Sequence, residues 1–451
     1  MMSGLQATLR SPAVWLGVLG SVLVGWGSSH PEFALTGTWG ADWIDQLGRT
    51  APIPADRILL IAGCLGLTWA WWLIRPQPGR NHSAALILSL WSLPLLLVPP
   101  VLSPDAVLYA DLGWTLGTGA NPYDVGLASS GGPFAARVDP LWAGHGVAYP
   151  PLTLRLDQAV VWATGADPYW SVVAMRLPAI LAVVAMLFLV PRLAAALGRS
   201  GSQATWLGVL NPLLVLHFIG GAHNDAPMAA LSLAAIWLVV RRPSWWMSLI
   251  AAPVLVGLAM AAKQQGGLTV IAVAGLPVAA TLAALPLGRR LWLLGWRTAV
   301  ATAVAVATFV AVSLLSGLGF GWTRWLDLMG LAHTPAPLAW LSKGGALLWG
   351  LGGGDPTAFL VVAGRVTTVI LIVAVAWTLV HFADRPLPAL AWGSAVLVVL
   401  GQAVHPWYVP WSLALLALCP MTRRQQRLVI GLTITFAAWN GIQTAIWHGS
   451  V

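Results

Sequence analysis

Apolar runs of membrane-crossing length recur along the whole chain, separated by short punctuation of arginine, proline and glycine. A bilayer core takes about 20 mostly apolar residues per helix. On that basis about thirteen spans are predicted, near residues 13–27, 58–74, 84–101, 169–190, 203–219, 226–240, 246–262, 267–287, 297–317, 357–381, 388–404, 407–420 and 428–446. Within them apolar residues are continuous instead of alternating. A backbone in lipid must satisfy its own hydrogen bonds, so the spans are read as helices.

Charge orients this pattern. With the N-terminus in the cytoplasm, the inner turns hold Arg75 and Arg80, Arg192 and Arg199, Arg241 and Arg242, Arg289 and Arg290, Arg385, and Arg423, Arg424 and Arg427. That is the positive-inside distribution at every inner turn. Of the 14 acidic residues only Asp384 falls inside, which points to a working outer face. The expectation is therefore an all-α, multi-pass plasma-membrane protein with a cytoplasmic N-terminus and extracytoplasmic chemistry.

Composition agrees. The chain is 58% hydrophobic and 8% charged, with a mean hydropathy of +0.79, where soluble domains carry roughly 25% charged residues. A net charge of +9 would suggest nucleic acid in a soluble protein. Here the basic residues mark helix ends, and no nucleic-acid partner is expected. Cys64 and Cys419 each fall inside a span and form neither a disulfide framework nor a metal spacing. The first apolar run follows Arg10 without a small-residue cleavage site and reads as a retained anchor. One transmembrane domain is expected over 1–451, with no separate soluble domain and no internal repeat.

Candidate chemistry concentrates in the outer segment 102–168. It opens Ser103-Pro104-Asp105, continues through Tyr109 and Asp111 to Gly119-Ala120-Asn121-Pro122-Tyr123, and closes on Tyr149-Pro150-Pro151. Asp105 and Tyr109 share a face if the segment starts helically, with Pro104 at the first helical position. The Asn121-Pro122 pair reads as a turn. A carboxylate beside an apolar wall is expected to have a raised pKa, poised as a base; the plain alternative is a helix cap or a solvated acid. Further along, His223-Asn224-Asp225 ends one span, Lys263 ends another, and His405-Pro406-Trp407-Tyr408 lies between two.

The order Asp-x-x-x-Tyr, Gly-x-Asn-Pro-Tyr, Tyr-Pro-Pro, Gly-Gly-Ala-His-Asn-Asp and His-Pro-Trp-Tyr-Val-Pro-Trp, all on one face, resembles the polyprenol-phosphomannose-dependent alpha-1,6-mannosyltransferases of actinobacterial envelope assembly, multi-span enzymes of the GT-C fold. The matching motifs run from about residue 103 to 411. The resemblance implies a GT-C bundle with outer loops capping a cavity, a polyprenyl-phosphate-mannose donor, and a mannan or lipoglycan acceptor. It further implies an inverting displacement with Asp105 as base, Asp225 and Asp111 in reserve. Cationic groups must steady the departing phosphate. The candidates are Lys263, Arg365, His223, Arg176 and Arg324; intramembrane arginines are functional candidates, or else snorkel or pair. Tyr109, Asn121, Tyr123, Tyr149, Asn224, Asp225, Trp407 and Tyr408 are candidates for sugar and acceptor, though Asn224 and Asp225 also suit a helix cap and the aromatics an interfacial belt. No Asp-x-Asp signature is present, and no metal or other cofactor is expected. Other readings are a transferase for prenyl-phosphate arabinose or glucose, a lipid-linked-sugar flippase, and a non-catalytic scaffold.

Overall fold

A computed structural model describes residues 2–79, 81–331, 336–401 and 403–447. Among them there is no strand; the sole non-helical pairing is an isolated bridge between Leu127 and Ala143.

The bundle opens with α1 (Pro12–Ser28) and α2 (Ala55–Leu73), which pack closely through glycine. A Cβ on Gly20 would stand 2.6 Å from the Leu67 nitrogen, and one on Gly63 2.6 Å from the Gly20 carbonyl oxygen. Small residues let helix backbones approach where lipid supplies no hydrophobic drive. Next come α3 (Ala84–Leu95), α4 (Asp105–Gly117), α5 (Pro151–Ala163), α6 (Trp170–Ala196), α7 (Gly201–Gly208), α8 (Asp225–Arg241), α9 (Met247–Ala262), α10 (Gln264–Ala284) and α11 (Leu287–Leu315). The last five are α12 (Pro337–Leu351), α13 (Pro356–His381), α14 (Pro386–Leu400), α15 (Val409–Leu416) and α16 (Arg423–Trp447).

Six of these, α2, α6, α10, α11, α13 and α16, are long and apolar enough to cross a membrane alone. A seventh span results if the π-helical turn Leu214–Gly220 and α8, bent by 111°, are taken together. The helices α1, α3, α9 and α14 are apolar but shorter. This is consistent with a multi-pass membrane protein, although about thirteen full-length helices are not present among the described residues. Proline explains two departures. The run 203–219 stops at Asn211-Pro212 before resuming as the π turn, because proline lacks a donor and clashes with the preceding turn. The run 407–420 shortens to a 3-10 turn, Pro406–Tyr408, followed by the eight residues of α15. The helix α12 has no counterpart among the predicted spans. It folds back on the start of α13, with Phe359 filling the space at Gly345 and its ring centroid 6.4 Å from that of Trp349.

The predicted outer segment is a folded cap. The helices α4 and α5 meet so closely that a Cβ on Gly113 would lie 2.5 Å from the Asp157 carbonyl oxygen. With the intervening loop they bury their own core around Tyr109, Tyr123, Phe134 and Leu154. That core is distinct from the main bundle core, which runs through Trp71, Leu95, Met186 and Phe218.

Candidate functional site

Helix breaks deliver the polar side chains to one place. Asp105 is the first residue of α4, with Pro104 at its N-cap, one position earlier than expected. Lys263 leaves the end of α9 in an extended conformation (φ −159°, ψ 131°). His223 and Asn224 sit in the bend before α8, and His405 to Tyr408 in the break between α14 and α15. Leu102 (φ 61°) and Ala222 (φ 61°), just ahead of two of these segments, hold left-handed backbone. Such conformations carry strain for residues with a Cβ and cluster at functional sites.

Asp105, Lys263 and the break at His405, Trp407 and Tyr408 line a cavity of about 480 Å³, with His223 and Asn224 outside its lining; the volume is within the roughly 300–1,000 Å³ typical of small-molecule sites. Asp105, Lys263 and His405 supply its ionisable groups, and Trp142, Tyr149, Trp322, Trp325, Trp407 and Tyr408 its aromatic walls. The Tyr109 hydroxyl donates to Asp105 Oδ2 at 3.2 Å, as the shared helix face required. His223 Nδ1 approaches the same oxygen at 3.4 Å. His223 and His405 each stack on Trp407, with centroids 4.1 and 4.2 Å away. Lys263 Nζ donates to Asp225 Oδ2 at 2.5 Å and to Asn224 Oδ1 at 3.5 Å, and lies 4.5 Å from the centre of the Tyr408 ring.

The electrostatics depart from expectation at Asp105. Burial does push its carboxyl up, but the hydrogen bond and charge of His223, helped by His405 and Lys263, outweigh it, so the pKa is lowered from 3.8. The carboxyl is therefore held as an ionised acceptor. Burial pushes the His405 imidazole down to about 3, leaving it neutral at ordinary pH. Burial, reinforced by nearby acidic or phenolic groups, raises Tyr109, Tyr149 and Tyr408 well above the usual value, so all three remain neutral phenols that can donate.

Other candidates lie elsewhere or serve the scaffold. Asn121 accepts from the Tyr123 amide at 3.1 Å and caps a short turn, and the Tyr123 hydroxyl donates to the Tyr149 carbonyl at 2.7 Å; they support the cap without lining the cavity. Asn224 makes no capping bond at the start of α8. Asp111 Oδ2 accepts from the Ala128 amide at 2.8 Å, pinning the cap loop. Arg324 pairs with Asp124 at the exposed rim. Arg365 is exposed on α13, away from the lining. Arg176 is buried and donates to the carbonyls of Ile219 (3.0 Å), Pro99 (2.8 Å) and Gly220 (2.8 Å), tying α6 to the end of the π turn. Arg176→Met removes the guanidinium donor from these buried carbonyls, of which that of Gly220 keeps the Val101 amide at 3.3 Å, at a cost on the order of 3 kcal/mol. A lowered thermal melting point is expected, with the folded fraction's ligand affinity unchanged.

Sequence reasoning did not assign roles to His405, Gln264, Gln265, Trp322 or Trp325, all of which line the cavity. Signals existed for each: His405 opens a quoted motif, the glutamines follow Lys263, and the two tryptophans flank Arg324.

Fold and site thus define a polytopic helical protein with a charged, aromatic-walled cavity under a folded cap at one end of its bundle. The family model described as "Alpha-(1->6)-mannopyranosyltransferase, N-terminal domain" matches residues 14–279, and the chain belongs to that family. A second model, "MptB C-terminal domain", matches residues 337–440. Alpha-(1->6)-mannopyranosyltransferase A of Mycobacterium tuberculosis is 30% identical over 366 residues, covering 76% of this chain and 66% of the relative. A probable alpha-(1->6)-mannopyranosyltransferase of Mycolicibacterium smegmatis is 30% identical over 357 residues, covering 73% and 64%. Alpha-(1->6)-mannopyranosyltransferase B of Corynebacterium glutamicum is 26% identical over 455 residues, covering 92% and 74%. The chain spans just under two thirds of the length of the first of these relatives (66%). No solved structure matches the chain significantly.

Proposed function

We propose that this protein transfers mannose from polyprenyl-phosphate-mannose to an alpha-1,6-mannan acceptor of a cell-envelope lipoglycan, with inversion at the anomeric carbon. The observation that carries this reading is a buried Asp105 and a buried Lys263 lining the same cavity, inside a chain of this family. Asp105 accepts the proton of the attacking acceptor hydroxyl as the new bond forms at C1. The C1–O bond to phosphate breaks, and the departing polyprenyl phosphate gains a negative charge. Lys263 faces that charge, with His405 in the same lining as a further donor. The aromatic walls offer stacking faces to the sugar and an apolar path to the prenyl chain. The arginine-rich opposite helix ends support an extracytoplasmic cavity under the positive-inside rule. A monophosphate leaving group answered by an ammonium needs no metal at this cavity.

Purified protein offered polyprenyl-phosphate-linked mannose, arabinose and glucose in parallel, with a short alpha-1,6-mannoside, is expected to use mannose. Transfer of arabinose or glucose alone would sink the donor assignment. The lowered pKa of Asp105 has a sign: the base is lost only as pH falls through its folded value. The acid limb of kcat/KM is accordingly expected below 3.8, the usual carboxylate value; a limb near pH 6 would mean another group acts as base. Arg365→Ala is expected to leave donor affinity within about twofold, because an exposed substitution away from the lining changes little.

A further inference from the structure

We propose that His30, Glu32 and Asp56 form a binding site for one divalent transition-metal ion of intermediate hardness, with Zn2+ the best match. The three side chains come from the exit of α1 and the entry of α2. His30 and Glu32 flank the start of the turn Pro31–Ala34, and Asp56 is the second residue of α2. His30 Nδ1 lies 3.9 Å from Asp56 Oδ2 and 4.0 Å from Glu32 Oε2. One ligand atom from each residue falls within 4.8 Å of the others. Tetrahedral ligands about 2.1 Å from a zinc ion are separated by about 3.4 Å, so side-chain shifts of under an ångström close the site.

Asp56 supplies the independent sign of a ligand. Its side chain is fully buried, yet neither carboxylate oxygen has a hydrogen-bond partner. Buried carboxylates are paired or coordinate metals, and Oδ2 is aimed at the imidazole. His30 itself is a poor substitute for a cation: its Nδ1 already accepts from the Glu32 amide at 3.2 Å, a contact that a metal ion would replace. Arg57 Nη2 stands 3.8 Å from Glu32 Oε2, so part of the acidic charge is tempered already and one ion suffices. An imidazole with two carboxylates suits zinc or manganese, whereas magnesium and calcium prefer all-oxygen shells.

None of the three residues lines the cavity described above. Their neighbours do touch its support: Phe33 and Ala34 share a small cleft with Ser103, Pro104 and Asp139. A bound ion would clasp the first outer loop to α2, directly behind the segment that presents Asp105.

The test uses full-length protein without a histidine tag, stripped by chelator in detergent and dialysed against Zn2+, with metal content and melting temperature as readouts. One Zn2+ per chain is expected, with a rise in melting temperature that saturates at one equivalent. Asp56→Asn and His30→Gln should each weaken binding at least tenfold and abolish the rise; His30, the less buried of the two, keeps the test decisive through His30→Gln if Asp56→Asn fails to fold. Absence of stoichiometric Zn2+ binding, binding unchanged in the folded variants, or a response to Ca2+ or Mg2+ alone would each overturn the site. No transfer assay enters, so this outcome is separate from the mannosyltransferase reading.

Discussion

Asp105→Asn is expected to lower mannosyl transfer by roughly 10²–10⁴-fold, the usual contribution of a positioned general base, without loss of fold. The substitution preserves shape and can keep one acceptor oxygen for Tyr109, which now donates at 3.2 Å. What it removes is the proton acceptor, and with it the negative charge facing His223 across 3.4 Å. Donor binding should survive, because the phosphate is assigned to cations and not to this carboxylate. The loss should therefore fall on kcat, with the KM for donor changed little. Asp225→Asn serves as the comparison: if it silences transfer while Asp105→Asn does not, the base is Asp225.

The second large effect concerns Lys263. Lys263→Met removes the ammonium facing the departing phosphate, and loss of one such electrostatic contact typically costs 10²–10³-fold in rate. It also leaves Asp225 buried without its partner at 2.5 Å. Breaking a buried pair from one side costs about 3–5 kcal/mol, whereas replacing both charges is often nearly neutral. The double variant Lys263→Met, Asp225→Asn should thus regain most of the melting temperature lost by Lys263→Met. It should not regain transfer. If stability and transfer return together, the lysine is a scaffold residue whose only task is to neutralise Asp225. If neither single nor double substitution changes transfer, the phosphate is held elsewhere.

Much of the molecule was legible because lipid imposes a simple grammar. Continuous apolar runs became helices, and the arginine-marked turns fall at the helix ends remote from Asp105, His223 and Lys263. The prolines at positions 212, 406 and 410 were visible too, but their consequence was not. They convert two would-be spans into short or π-helical pieces; one break brings Trp407 into the cavity, and the other leads to the bend that sets His223 against Asp105. The α4 register was readable from the Asp105–Tyr109 spacing, since residues four apart share a helix face. The arginines were harder. Arg176 and Arg365 both interrupt apolar runs, so sequence treats them alike. Tertiary structure separates them, because one faces three backbone carbonyls and the other lies on an exposed helix face. The pKa of Asp105 was misjudged for a similar reason: its apolar setting is local in sequence, whereas His223, His405 and Lys263 are distant. The His30, Glu32 and Asp56 group escaped notice because a loop and a second helix entry separate its members.

Purified protein given a labelled polyprenyl-phosphate-mannose and a short alpha-1,6-mannoside, with the linkage in the product then determined, reports donor, acceptor and base in one experiment. The predicted result is a mannoside one unit longer, joined by a new alpha-1,6 bond, formed by the wild type and not by Asp105→Asn. A folded wild-type protein that binds both substrates and yields no extended mannoside would rule out mannosyl transfer at this cavity.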